Sequence, residues 1–198
     1  MALVTLPSSP APMSASWSLG DPGGVQRGAI GGSAQRVNRL GARWRYAVSL
    51  PPMTPSDARI WAAALARGLR NGVSYKVSQP TTPTGSPGSI AIAGAGQTGD
   101  SIDVDGGTPG YVVKQGQWLN IATSPRSYLY QAAATVRLDS SGEGTIEIEP
   151  PLRAVPNDND VLNLGAPVIE GLLDMPPEWA IDANLLVQGI TFAIEEVR

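Results

Sequence analysis

The residues that first invite a chemical reading are Gly94-Ala95-Gly96-Gln97-Thr98-Gly99, which match the G-x-G-x-x-G spacing of a dinucleotide-binding turn. Such a site needs a helix opening at the third glycine, so that its N-terminal amides meet a pyrophosphate. Here Asp100-Ser101-Ile102-Asp103-Val104-Asp105-Gly106-Gly107 follows, acidic and alternating like a strand. Carboxylates in that place repel phosphate, so the glycines read as a tight β-turn. Asp103-Val104-Asp105-Gly106 has the start of a calcium loop, but Val112 stands where the acidic ligand six residues after the glycine belongs. It too reads as a turn. Glu147 and Glu149 are paired carboxylates, yet they lie two apart on one strand face. Acid–base work on a glycoside needs carboxylates converging across a cleft with separated pKa values, so these two fit a solvent face or a subunit contact better.

The wider inventory points the same way. There is no Cys and no His, which excludes a disulfide framework, the usual zinc sites, and Ser-His-Asp or Cys-His catalysis. No nucleophile elbow or phosphate loop is present. The expectation is a non-enzymatic protein, with no catalytic residue, no cofactor and no bound metal. Charged residues are 16% of the chain, below the roughly 25% usual for soluble domains. The 23 glycines and 18 prolines favour short strands and turns over long helices. No segment approaches the ~20 apolar residues of a membrane span, and Met1 to Leu6 lacks the basic start of a secretory signal. The expectation is a protein without a membrane anchor, made in the cytoplasm and leaving it only inside an assembly.

Charge is unevenly placed. Residues 1–80 carry nine Arg/Lys and two Asp/Glu, whereas residues 81–198 carry five and fifteen, so +7 and −10 make up the net −3. A basic half and an acidic half suit head-to-tail contacts between copies, although two solvated surfaces would read alike. Nucleic-acid binding fits less well, because the arginines are spread along strands in an acidic protein.

The elements that would position these residues follow from periodicity. Ser14–Leu19 alternates with Ala15, Trp17 and Leu19 on one face, and residues 34–40 suggest a second strand. Residues 43–50 place Trp44, Tyr46, Val48 and Leu50 on one face and Arg43, Arg45, Ala47 and Ser49 on the other. Thr54-Pro55-Ser56-Asp57 gives an N-cap, a proline at the first helical position and a carboxylate three residues on. This predicts a helix over 55–71 with the stripe Ala58, Trp61, Ala62, Leu65 and Leu69, Arg67 and Arg70 in its last turn, and Asn71-Gly72 as the stop. Residues 73–77 then form a strand, and 79–89 read as a Pro/Thr/Ser/Gly linker.

Beyond it, residues 89–93, 101–104, 110–113 and 117–122 are short strands. Residues 128–138 read as one long strand, with Tyr130, Ala132, Ala134, Val136 and Leu138 sharing a face, turning through 139–144 into 145–149 as a hairpin. Residues 168–173 and 185–197 are strands joined across the Met175–Trp179 turn. The second has Leu186, Ile190, Phe192 and Ile194 inward, interrupted by Gln188 and Glu196. Trp44, Tyr46 and Trp61 suit a helix-on-sheet core. The expected fold is mainly β with one helix packed on a sheet, a β-sandwich or split-barrel assembly domain with an inserted small barrel-like subdomain. The assembly domain spans 1–83 plus 166–198, and the insert spans 84–165. Candidate subunit-contact residues are Trp17, Arg36, Arg39, Arg43, Arg45, Trp118, Glu147, Glu149 and Trp179, since Trp and Arg are enriched at interface hot spots.

The order of motifs resembles the distal tail (tail-hub) proteins of siphophages and gene transfer agents. The N-terminal part shows Gln35-Arg36-Val37-Asn38-Arg39-Leu40-Gly41-Ala42-Arg43-Trp44, then a strand ending at Leu50-Pro51-Pro52-Met53, then the helix. The middle resembles a segment common in phage virion proteins, in Thr108-Pro109-Gly110-Tyr111, Gly116-Gln117-Trp118-Leu119, Tyr128-Leu129-Tyr130, Ser140-Ser141-Gly142 and Ile148-Glu149-Pro150-Pro151-Leu152-Arg153, continuing to Ala166-Pro167-Val168-Ile169-Glu170-Gly171. The resemblance implies a structural virion protein forming a hexameric ring at the tail tip. Such a ring joins the tail tube to the hub and fibre proteins, with DNA passing through the lumen only as cargo. It supplies no catalytic residues. Two other readings stay open: a tail-tube or tail-completion subunit, and a carbohydrate-binding β-sandwich using exposed Trp118 or Trp179.

Overall fold

Alternating apolar residues build two β units here, and the amphipathic helix closes one of them. The computed structural model describes residues 2–28, 31–37, 39–80, 82, 84–174, 176 and 178–197. In chain order the strands are β1 (Val4–Thr5), β2 (Ser14–Gly20), β3 (Gly24–Gln26), β4 (Gln35–Val37) and β5 (Arg43–Ser49), followed by helix α1 (Pro55–Asn71) and β6 (Val73–Lys76). Then come β7 (Gly88–Ile92), β8 (Ser101–Gly107), β9 (Val112–Val113), β10 (Trp118–Thr123), β11 (Arg126–Ala132), β12 (Val136–Arg137), β13 (Gly144–Glu149) and β14 (Val161–Asn163). The remaining strands are β15 (Val168–Leu173), β16 (Ala180–Ile181), β17 (Val187–Gln188) and β18 (Thr191–Glu196).

One sheet has the order β1-β6-β15-β18-β5-β2, antiparallel except where β1 runs alongside β6. A closed barrel has the order β10-β11-β13-β8-β7-β14. The fold is thus mainly β, with one helix on a sheet and a six-stranded barrel carried between β6 and β15. Those two strands are antiparallel neighbours, and the Val77 amide donates to the Pro167 carbonyl where the chain leaves and returns. The Gln79 side chain ties both crossings, donating to the Leu164 carbonyl and accepting from the Trp118 amide.

Helix α1 starts as its sequence dictates. Thr54 is the N-cap, Pro55 occupies the first turn, and the Asp57 amide donates to Thr54 Oγ1. Gly72 ends it at φ 78°, with its amide on the Gly68 carbonyl. Its buried stripe is Ala58, Trp61, Leu65 and Gly68. This corrects the expected stripe at its last member, since Leu69 is 39% exposed. The inward position falls on Gly68, where any Cβ would collide with Val73 Cγ1. Replacing Thr54 with Ala is expected to cost about 0.5–2 kcal/mol through the lost cap. A thermal melt followed by circular dichroism checks this, and an unchanged midpoint contradicts it.

The barrel wall shows period-2 burial. Ile102 and Val104 on β8 and Ile146 and Ile148 on β13 point inward beside Ile90, Ile92, Leu119, Ile121, Tyr130 and Leu162. β10 and β11 are buried on both faces. Leu119, Ile121, Tyr130 and Ala132 join the barrel core, while Trp118 and Leu129 join the core formed by the sheet and α1.

Three sequence expectations change here. Residues 128–138 are not one strand. The chain leaves β13 after Gln131 and Ala132, and Val136–Arg137 pairs with Val112–Val113 instead. The Ala133 amide donates to the Glu147 carbonyl and Thr135 Oγ1 accepts from the Gln115 amide, which turns the chain between the two pieces. Residues 185–197 are likewise two strands, split at Gly189 in the left-handed region at φ 84°. That break shifts the alternation, so Val187 is buried and Leu186 points out. A two-stranded ribbon, β16–β17, stands between β15 and β18; Met175 and Pro177 of the expected turn lie outside the described residues. The second expected strand is only Gln35–Val37, and Asn38 also lies outside them.

Candidate assembly site

The strongest polar node sits where the barrel meets the sheet. β11 pairs fully with β10, but with β13 only at Gln131 and Ala132, so the amides of Ser127 and Leu129 face no strand. Buried backbone donors need acceptors. Two carboxylates of the sheet supply them: Glu170 of β15 accepts from Ser127 at 3.0 Å, and Glu196 of β18 accepts from Leu129 at 2.9 Å. Glu196 also accepts from the Trp44 amide at 2.9 Å and pairs with Arg153 at 2.5 Å. The side chains of Arg153 and Glu196 are 4% and 1% exposed. Burial is the main influence on Glu196 and pushes its pKa up, opposed by Arg153 and by the Leu129 and Trp44 amides. Burial raises Glu170 as well, against the Ser127 amide and Arg126. The Arg153 guanidinium carbon lies 5.0 Å from the Tyr128 ring centre and 5.9 Å from that of Tyr130, where cation–π attraction is effective.

Beside this node an aromatic stack crosses the same junction. Trp17 of β2 stacks on Tyr46 of β5 at 3.9 Å and on Trp118 of β10 at 4.1 Å. Trp44 meets both tryptophans edge-on. Such pairs contribute about 0.5–1.5 kcal/mol each beyond their burial. Node and stack together make the barrel a fixed extension of the sheet.

The expected contact residues divide accordingly. Trp118 is 8% exposed and Trp17 is half-buried against it, so both serve within the chain; this corrects the expectation of Trp118 as an exposed contact. Trp179 is 50% exposed. Arg36 pairs with Asp21 at 2.5 Å, Arg43 lies 4.0 Å from Glu195, and Arg45 pairs with Asp174. Arg39 and Glu149 line one cleft of about 440 Å³ with Leu19, Asp21, Leu40 and Pro151, between the β2–β5 region and the barrel. Glu147 is exposed on the outer barrel face, away from that lining. Sequence reasoning missed Arg153, which lies in a turn-rich stretch with no periodic signal. Glu196 did carry one, as a carboxylate at an inward position of β18.

The three glycines of Gly94–Gly99 all have positive φ, and Gln97 bonds the carbonyls of Ala93, Gly94 and Asp103. A strand follows, not a helix. Asp103 accepts from Thr145 Oγ1 at 2.6 Å, and no group of three Asp or Glu able to hold a metal occurs among the described residues. Nor is any described helix long and apolar enough to cross a membrane.

What the surface offers is unpaired apolar ribbon. Beyond the Gly20–Arg43 end of the β2–β5 pair, β3 and β4 pair with each other as a two-stranded ribbon outside the sheet. Exposed large side chains on and beside it include Leu19, Val25 and Leu40. The β16–β17 ribbon exposes Trp179, Ile181 and Leu185. No family model matches the chain, and no curated protein is similar to it at a significant level.

Proposed function

We propose that this chain is a structural virion protein that assembles with copies of itself into a ring at the distal end of a phage tail, connecting the tail tube to hub and fibre proteins. The observation that carries self-assembly is the pair of ribbons. A two-stranded ribbon is marginal in water on its own, and these two hold Val25, Leu40, Trp179, Ile181 and Leu185 in solvent. Exposed apolar clusters of this kind mark interaction surfaces. The large sheet adds two edges, β1 and β2, whose outer sides meet no partner strand among the described residues. These unlike surfaces suit heterologous contacts, which close into a ring when the rotation between copies closes. The tail-tip position and the hexameric count come from the motif order alone.

The test is the mass of the purified chain by sedimentation, with negative-stain imaging, alone and with a tail-tube protein. Rings of six are the expected result. A monomer at all concentrations, with no rings in either sample, overturns the proposal. The carbohydrate-binding reading loses one of its two tryptophans, because Trp118 is buried in the stack.

A further inference from the structure

Three guanidiniums on α1 have no ion-pair partner among the described residues. Arg59, Arg67 and Arg70 are exposed, and the ion pairs among the described residues use Arg36, Arg43, Arg45 and Arg153 instead. At 3.6 residues per turn they share one face with Ala63 and Ala66, opposite the buried Ala58, Trp61, Leu65 and Gly68. Arg59 and Arg70 are about 16 Å apart along the axis, at ~1.5 Å per residue. Ile60 borders them and is 60% exposed. The helix has one carboxylate, Asp57, and Thr54 Oγ1 bonds it at the cap.

The outer face of the β8–β13 pair is the counterpart. Its register sets Thr145 opposite Asp103 and Glu147 opposite Ser101. Asp105, Asp103, Glu147 and Glu149 therefore follow one another at two-residue steps across the pair, with Glu143 level with Asp105. From Glu143 to Glu149 the row runs about 20 Å, at ~3.3 Å per residue. Neither strand contains Lys or Arg, and none of these carboxylates is in an ion pair among the described residues. The row therefore matches the arginine face in length and opposes it in sign.

We propose that the arginine face of α1 in one copy docks on the β8–β13 carboxylate face of the next copy. The inference rests on the self-assembly reading above and names the contact that carries it. The two faces are different, so the contact is head-to-tail and repeats around a ring. It keeps Glu147 and Glu149 of the residues expected from sequence and puts the α1 arginines in place of the expected ones. Arg36, Arg43 and Arg45 lie beside Asp21, Glu195 and Asp174 of the same chain, whereas the helix arginines are in no ion pair among the described residues.

Charge reversal in the full chain tests it. One variant carries Arg59→Glu, Arg67→Glu and Arg70→Glu; the other carries Asp103→Lys, Glu147→Lys and Glu149→Lys. All six positions are exposed, and thermal melts check that both variants fold. Sedimentation should show wild-type assemblies and at least ~tenfold weaker association for each variant alone, since like charges then meet across the contact. An equal mixture of the two variants should reassemble, because each wild-type face finds its complement and the two reversed faces also match. Wild-type assembly with variants that assemble equally well overturns this contact while self-assembly stands. Monomeric wild type overturns both. Weakened variants whose mixture stays dissociated show that the two faces do not meet each other, which overturns the pairing. A helix variant that assembles normally but loses binding to a DNA duplex assigns the arginines to nucleic acid and overturns it as well.

Discussion

Arg153→Met is expected to destabilise the folded chain by about 3–5 kcal/mol at pH 8, because it leaves a buried carboxylate without its cation. Glu196 is 1% exposed and keeps only the amides of Leu129 and Trp44. With the guanidinium gone, burial acts with less opposition, and the folded pKa rises further above the ordinary value of 4.5. The folded state then holds a proton at pH values where the unfolded chain has lost it. Stability from this group is therefore full below the unfolded value and falls as pH rises through the raised folded value. Denaturant unfolding of wild type and variant at pH 5 and pH 8 reads this out. The deficit should be larger at pH 8, and adding Glu196→Gln to the variant should remove most of that difference. Equal deficits at both pH values would show that Arg153 acts through packing on Tyr128 and Tyr130 alone.

That node also marks where the sequence stopped being legible. Local rules carried far: Thr54, Pro55 and Gly72 bound the helix, alternation in residues 43–50 marked a strand and its inward face, and 101–104 read as part of the strand that runs to Gly107. Alternation failed where one residue reset the phase, at Gly189 and at the bend after Ala132, because period-2 patterns carry no memory across a break. Partners distant in sequence left no trace at all. Arg153 meets Glu196 across 43 residues, and the acceptor for the Leu129 amide lies 67 residues away. For the same reason the charge asymmetry was visible as +7 against −10, but not which arginines were already neutralised by Asp21, Glu195 and Asp174.

The two tryptophans that sequence could not tell apart should separate cleanly in experiment. Trp118→Ala is expected to cost about 3–5 kcal/mol, the range for removing a large buried aromatic ring. It empties a site 8% exposed, removes the ring stacked on Trp17, and takes from Trp44 one of its two edge-on neighbours. The loss falls on the junction, so the barrel should come free of the sheet before either unit melts. Hydrogen exchange should then speed up first at the Leu129 and Ser127 amides, which Glu196 and Glu170 protect. Trp179→Ala, at 50% exposure on the β16–β17 ribbon, should change stability by no more than about 0.5 kcal/mol, as surface substitutions usually do. Its effect should appear in association of copies. Calorimetric melts paired with sedimentation of both variants distinguish the roles. A large stability loss from Trp179→Ala, or none from Trp118→Ala, would reverse the assignment of which tryptophan holds the chain together and which faces its neighbours.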